Sequence, residues 1–251
     1  MKGMIKKFKG MQKTRKVITA AIICGLALLL FAAIQVFKET ERVPIPNDES
    51  LAIKLPRPKY DSGTSIEEAL LKRRSIREYK DEPLTLAEVS QLLWAAQGIT
   101  EPSRGFRTAP SAGALYPLEV YVAVGNVEDV SEAVYRYKPR EHELERRVTG
   151  DKRAELYDAA LMQSSVKDAA IVIVFSAVYE RTTGWYGERG IRYVHIEVGH
   201  AAQNVYLQAV SLNLGTVAIG AFRDDEVKEV IGMSDQEQPL YVMPVGRIQN
   251  G

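Results

Sequence analysis

A layered domain of intermixed helices and strands, of the α+β or α/β class, is what the sequence predicts, and three observations carry that expectation. Two capping-box patterns open amphipathic helices: Ser65 with Glu68 ahead of Ile66, Ala69 and Leu70, and Thr85 with Glu88 ahead of Leu86, Val89, Leu92, Leu93 and Ala96. Apolar runs at residues 118–124, 169–178 and 240–247 read as strands. A long helical pattern over residues 193–213, closed by Gly215, lies among them. Helices and strands that alternate along one chain pack as layers around a shared core.

Taken in order, the first helix ends near Arg73, at the head of the stretch RRSIREY, residues 73–79. If the following residues are extended, Ser75, Arg77 and Tyr79 point to one side, with Arg73 and Arg74 on the turn beside them. Three guanidinium groups and a hydroxyl in so short a span form an anion cradle, able to meet a phosphate with several charge-assisted donors. The same residues also suit a solvated basic helix end, where cations are favoured. The second helix runs up to Gly98. Residues 99–114 then lack periodicity and contain Pro102, Gly105, Pro110 and Gly113, and a loop of that length in a compact domain is often functional. It ends in APSAGALYP, residues 109–117, whose small side chains leave the backbone open to something flat or charged. An irregular lead into the strand at 118–124 explains that composition equally well.

Residues 134–144 alternate like a hairpin around Pro139, and residues 151–162 read as a helix. The run at 169–178 is apolar throughout, as expected of a strand covered on both faces. Between Tyr179 and Arg192, the stretch TTGWYGERG combines glycines with aromatics in a loop suited to be a lid. The long helix carries Gly199, Ala201, Ala202 and Ala209, small residues that permit close approach of another helix. Residues 216–222 read as a strand ending in AIGAF, residues 224–231 as a short capped helix and 240–247 as the last strand.

The composition, with 46% hydrophobic and 26% charged residues, suits a globular domain with a sizeable core. The formal charge of +1 hides an asymmetry. Residues 1–16 hold 7 lysines and arginines and no acid, which leaves 26 basic against 32 acidic residues in the remainder. Nucleic acid is therefore not an expected partner. Residues 17–37 are almost wholly apolar and long enough to span a bilayer as a helix. The basic flank predicts that the N-terminus stays in the cytoplasm, with the domain outside a cell membrane it is anchored to. A cleaved signal and a secreted form are the alternative. The sole cysteine, Cys24, lies inside the apolar run, so the rest of the chain holds no disulfide. Residues 38–63, with Pro44, Pro46, Pro56 and Pro58, read as a tether or an arm wrapping the domain at 64–251.

Several chemistries lose support. His195 and His200 are five apart on a helix and so about 140° from each other, which does not make a metal pair. No Walker loop, no GxGxxG after a strand and no GxSxG elbow occurs.

Together, RRSIREY after a capped helix, APSAGALYP before a strand, YGERGIRYVHIEVGHAAQN on a long helix, AIGAF and a final VGR resemble the nitroreductase superfamily over roughly residues 65–247. The wording is similar to its SagB-type branch, which includes oxidases of azoline rings in peptides. The resemblance implies an α+β fold with a central mixed sheet flanked by helices, and a homodimer holding FMN at its interface. It also implies ping-pong electron transfer to a small-molecule substrate, with NAD(P)H as one donor. Residue by residue, it puts Arg73, Arg74, Ser75 and Arg77 at the FMN phosphate and the polar edge of the flavin, and Arg247 at the phosphate. Pro110, Ser111, Ala112, Gly113 and Ala114 match a loop that comes from the partner subunit and lies along the flavin ring. Ile219, Gly220 and Ala221 match a strand end at the reactive edge, and Gln163 an amide on the ring.

In azoline oxidases a Lys-Tyr pair precedes the glycine of the YGERG-like stretch, whereas here the pair is Trp185 and Tyr186. Tyr186 is the candidate catalytic side chain, as a proton donor or as pocket lining. Three functions follow: an FMN-dependent oxidoreductase with a small organic acceptor, a SagB-type dehydrogenase of a peptide-derived azoline, and a membrane-tethered flavin-binding module without turnover.

Overall fold

The computed structural model describes residues 52–249. Its strands are β1 (Ala52–Lys54), β2 (Tyr79–Lys80), β3 (Ile99–Glu101), β4 (Phe106–Arg107), β5 (Leu118–Val124), β6 (Ala133–Lys138), β7 (Glu143–Thr149), β8 (Ile171–Val178), β9 (Leu214–Thr216) and β10 (Glu237–Ile248). Its helices are α1 (Ile66–Lys72), α2 (Leu86–Gln97), α3 (Arg153–Ala159), α4 (Ser164–Asp168), α5 (Glu180–Tyr186), α6 (Arg189–Ser211) and α7 (Asp224–Ile231). The expected membrane span at 17–37 and its basic flank lie outside the described residues. Among the described residues no helix is long and apolar enough to cross a membrane.

The main sheet runs β1-β7-β6-β5-β8-β10-β2, with β9 also on β10, and every ladder is antiparallel. The class is α+β, but the expected mixed sheet is corrected to an antiparallel one. The central strand β8 explains why direction was misleading. Ile171, Ile173, Phe175 and Ala177 enter one core with α2 and α6, while Val172 and Val174 enter a second core with α3, α4 and α7. Helices on both faces make a central strand apolar at every position whatever the direction of its neighbours.

Both capping patterns form helix starts. Ser65 Oγ accepts from the Glu68 N–H at 3.1 Å. Thr85 and Glu88 make the reciprocal box, with the Thr85 N–H donating to Glu88 Oε2 at 2.8 Å. The apolar face read for α1 does not close on the core: Ala69 is buried, but Ile66, Leu70 and Leu71 are exposed.

Other expectations shift. Residues 52–59, within the Pro-rich stretch, add β1 to β7 and then reach α2, where the Lys59 N–H donates to Gln91 Oε1. The loop at 99–114 contains the small hairpin β3–β4. The lid expected at 179–192 is helical, since α5 and the first turn of α6 occupy most of it. Residues 151–162 yield only α3, followed by Leu161 and Met162 in left-handed conformations. The strand expected at 216–222 shortens to β9 plus an isolated bridge between Ile219 and Val242.

Phe175 is fully buried at the centre of the larger core. Phe175→Ala should lower unfolding free energy by about 3–5 kcal/mol through lost burial and the cavity left behind, measured by urea denaturation followed by circular dichroism.

Candidate functional site

The helix α6 organises the site because it packs Val194, Val198, Ala201, Ala202, Val205 and Ala209 on the sheet and carries polar groups at both ends of that stripe. Near its C-terminal end, Tyr206 ties two segments together. The Ala218 N–H donates to Tyr206 Oη at 2.7 Å, which leaves the phenol proton for Ser75 Oγ at 3.1 Å. The Ile76 N–H donates to the Thr216 carbonyl. RRSIREY is thereby fixed beside the segment after β9. The Arg73 guanidinium lies 5.2 Å from the Tyr206 ring centroid, and Arg74 donates to the Leu71 and Arg73 carbonyls. Among the described residues no carboxylate pairs with Arg73, Arg74 or Arg77.

That same segment continues through Ile219, Gly220 and Ala221. Ile219 is held by its backbone pair with Val242, and Gly220 and Ala221 are exposed. Gln163 joins them: its Nε2 donates to the Ala221 and Ala160 carbonyls, each at 3.1 Å. Its Oε1 is left as an open acceptor. Arg73, Arg74, Ser75, Arg77, Gln163, Ile219, Gly220 and Ala221 thus form one continuous region.

Arg247 stands on β10 opposite Lys80 of β2 and Leu214 of β9. Its guanidinium is held by Glu88 through NH1 to Oε1 at 2.5 Å and NH2 to Oε2 at 2.9 Å, and NH2 also donates to the Pro83 carbonyl. Burial pushes the Glu88 carboxyl up, but bonds from Arg247 and Thr85 outweigh it, and its pKa lies below the usual range. Arg247 thereby ties the last strand to the cap of α2.

Pro110, Ser111, Ala112, Gly113 and Ala114 gather elsewhere, around the N-terminal half of α6. Glu197, which packs beneath them, is nine residues from Tyr206, or about 13–14 Å along the axis. Gly113, Ala114 and Tyr116 all have positive φ, at 63°, 53° and 47°. A side chain on Gly113 would also collide with Tyr186, whose Oη lies 2.9 Å from where its Cβ would stand. Tyr186 ends α5, packs edge-on against Tyr193 and is exposed beside Trp185. Ser111 Oγ accepts from the Tyr116 N–H at 2.9 Å, and Ser111 is among the groups beside Glu197 that favour its charged form.

Sequence reasoning passed over Glu197 and Arg107. Glu197 is 2% exposed, its Oε1 has no partner among the described residues, and burial pushes its pKa up to about 7. Arg107 stacks on the Tyr116 ring and donates to Gln97 Oε1. A carboxylate at a helical position that should face the sheet was the available signal for Glu197. Among the described residues no group of histidines and acids could hold a metal.

The model of the Nitroreductase family matches residues 70–247. A nitroreductase-named protein of Methanocaldococcus jannaschii is 54% identical over 182 residues, covering 72% of this chain and 90% of that one. The microcin B17-processing protein McbC of Escherichia coli is 26% identical over 174 residues, covering 66% and 64%. A solved nitroreductase-named structure from Ralstonia eutropha JMP134 superposes with a TM-score of 0.71 at 31% identity, over 80% of this chain and 90% of that one. With the family match spanning most of the domain and the sheet and its two helical layers in place, this chain belongs to the nitroreductase family.

Proposed function

We propose that the chain is an FMN-dependent oxidoreductase that moves electrons by a ping-pong cycle from a donor to a small organic acceptor, as a homodimer. The cradle carries this reading. Arg73, Arg74 and Arg77 sit next to the Ser75 hydroxyl without a carboxylate partner among the described residues, and unneutralised cations held on a turn suit a dianionic phosphate. The adjoining residues fit the rest of FMN, since Gly220 and Ala221 offer exposed backbone to a flat ring and Gln163 Oε1 an acceptor to a ring N–H. Bound flavin supplies the redox chemistry, while the chain holds the phosphate at 73–77 and the ring at 219–221.

The distance between this region and the 110–114 loop supports a site shared by two copies. One chain keeps them at different ends of α6, so a loop that lies along the ring comes from the second copy. The small residues expected to mediate dimer contact need revision. Ala201, Ala202 and Ala209 are buried within the protomer, and only Gly199 faces outward, where an added Cβ would meet nothing within 4 Å. Ile191 and Ile196 on α6 and Ile66, Leu70 and Leu71 on α1, which packs against α6, are exposed apolar groups for such contact.

The second reading, azoline oxidation on a peptide, is favoured by the likeness to McbC. Trp185 in place of the lysine of the azoline oxidases argues against it. For topology, the apolar run at 17–37 and its basic flank support a single-pass anchor with the domain outside the cytoplasm and a natural donor other than soluble nicotinamide. Protease added to intact wall-less cells should then digest the domain before lysis. Protection until lysis reverses the orientation and restores a nicotinamide as donor.

The fragment Ser50–Gly251, one compact unit that keeps β1, should purify yellow and release FMN on denaturation. Arg77→Ala should weaken FMN retention roughly tenfold or more, since a charge-assisted bond contributes about 1.5–3 kcal/mol. Arg247→Ala should instead leave flavin occupancy intact and lower the melting temperature. Equal flavin loss in both variants would return Arg247 to the phosphate. Gly199→Arg should give a folded monomer by light scattering that has lost FMN, and a dimeric, yellow Gly199→Arg protein would place the interface elsewhere.

A further inference from the structure

Beneath the 110–116 loop lies a set of buried polar groups that the flavin reading does not use. Glu197 enters from α6 beside Ser111, and its Oε1 has no partner among the described residues. Arg107 reaches in from β4 with its Nε also unpartnered, and Gln97, at the end of α2, spends its Oε1 on Arg107 and leaves Nε2 bare. Buried polar atoms are ordinarily paired, and three orphans in one neighbourhood mark a place kept for function rather than for stability. The loop above is itself held in an uncommon backbone, and the Tyr186 hydroxyl closes on its other side at Gly113.

Replacing Glu197 by an apolar residue would extend the stripe that Val194, Val198 and Ala201 already make on α6. A carboxyl there needs a reason. Among the described residues its close cation is Arg107, which also answers to Glu119 on β5 and to Arg181 on α6's neighbour α5, while Ser111 and Tyr116 face this cluster from the loop and uncharged Gln97 meets Arg107 from α2. Burial outweighs the help from Ser111 and Arg107, so the carboxyl exchanges its proton at about pH 7. Groups poised near the working pH are the effective ones in proton transfer.

We propose that Glu197 is a positioning residue that stores the proton of the reaction and passes it through the Ser111 hydroxyl to the organic acceptor. This rests on the flavin reading, which brings the loop to the ring. FMN held at the site would supply a hydride to the acceptor, which would be left as an anion. That anion takes the Ser111 Oγ proton as the O–H bond breaks, the Glu197 carboxyl proton replaces it on Oγ, and the carboxylate left behind regains a proton from water before the next cycle. In the oxidative direction the same groups take the proton away.

The test compares Glu197→Gln, Glu197→Asp and Ser111→Ala with the parent chain. Turnover of the parent, with reduced nicotinamide as donor and a soluble quinone as acceptor, should fall as pH rises through about 7. Glu197→Gln and Ser111→Ala should lose at least about tenfold in kcat at acid pH and flatten the profile, and Glu197→Asp should restore both rate and titration. Stability gives a reading independent of flavin. A carboxyl whose folded pKa is raised from 4.5 to about 7 stabilises the fold below 4.5, and that contribution is lost as pH rises to about 7. The parent should therefore lose melting temperature relative to Glu197→Gln over that window. A flavin-free parent defeats the family reading but leaves this measurement in force, and parallel stability curves for the two proteins overturn the proposal. So does a Glu197→Gln or Ser111→Ala enzyme with bound FMN and an unchanged pH profile. Should Glu197→Gln not fold, the Ser111→Ala profile decides.

Discussion

A helix of 23 residues can bury only one stripe against a sheet, and the placement of α6 under that constraint sets the geometry of everything functional in this domain. Its buried stripe fixes its rotation. Rotation in turn decides that Glu197 faces inward under the 110–116 loop and that Tyr206 reaches Ser75 and Ala218. Because the two contacts lie about 13–14 Å apart along one rigid element, one chain keeps the two halves of the proposed site apart. Under the proposed function neither half alone would cover both faces of a flat ring, so the length of the helix is itself a reason for the proposed assembly of two copies.

A second economy is the double use of Glu88. Its carboxylate caps α2 through Thr85 and grips Arg247 at the end of β10, so one side chain joins the start of the second helix to the last strand. The pair is partly buried, with side chains 16% and 26% exposed. In such a position an arginine without its carboxylate leaves an unpaired charge, which is the expensive state. The tie between Arg247 and Glu88 is therefore legible only when the partner, far away in sequence, is known.

How much was legible follows from the range of the forces involved. Capping at Ser65 and Thr85, the apolar runs of β5 and β8 and the stripe of α6 depend on neighbours within a few residues, and the sequence shows them directly. The clustering of Arg73, Ser75 and Arg77 is likewise local, since the three are close in the chain. Strand direction was not, because burial on both faces gives β8 the same composition in either sheet type. Nor was the helical state of 179–192: Gly184 and Gly187 argue for a loop, and packing of α5 on α6 overrides them. The inward turn of Ala201, Ala202 and Ala209 escaped for a related reason, as small residues serve a core and an interface equally.

Backbone strain separates the two half-sites from ordinary loops. Ala114 and Tyr116 hold left-handed conformations beside Ser111, and Leu161 and Met162 hold them beside Gln163, although none of the four is glycine. Each such residue costs of order 1–3 kcal/mol and persists only where its surroundings over-determine it. At Tyr116 the surroundings are visible: its ring is stacked by Arg107, its carbonyl is bound by Arg181 and its N–H is taken by Ser111. At Leu161 and Met162 they are not, because both side chains stand exposed and only the backbone is bonded, to Asp158 and Tyr157. Two exposed apolar side chains at strained positions are poorly explained by the protomer alone. In the proposed site a bound ring or a second copy would cover them, and the strain beside Gln163 would fix the direction of its amide in advance.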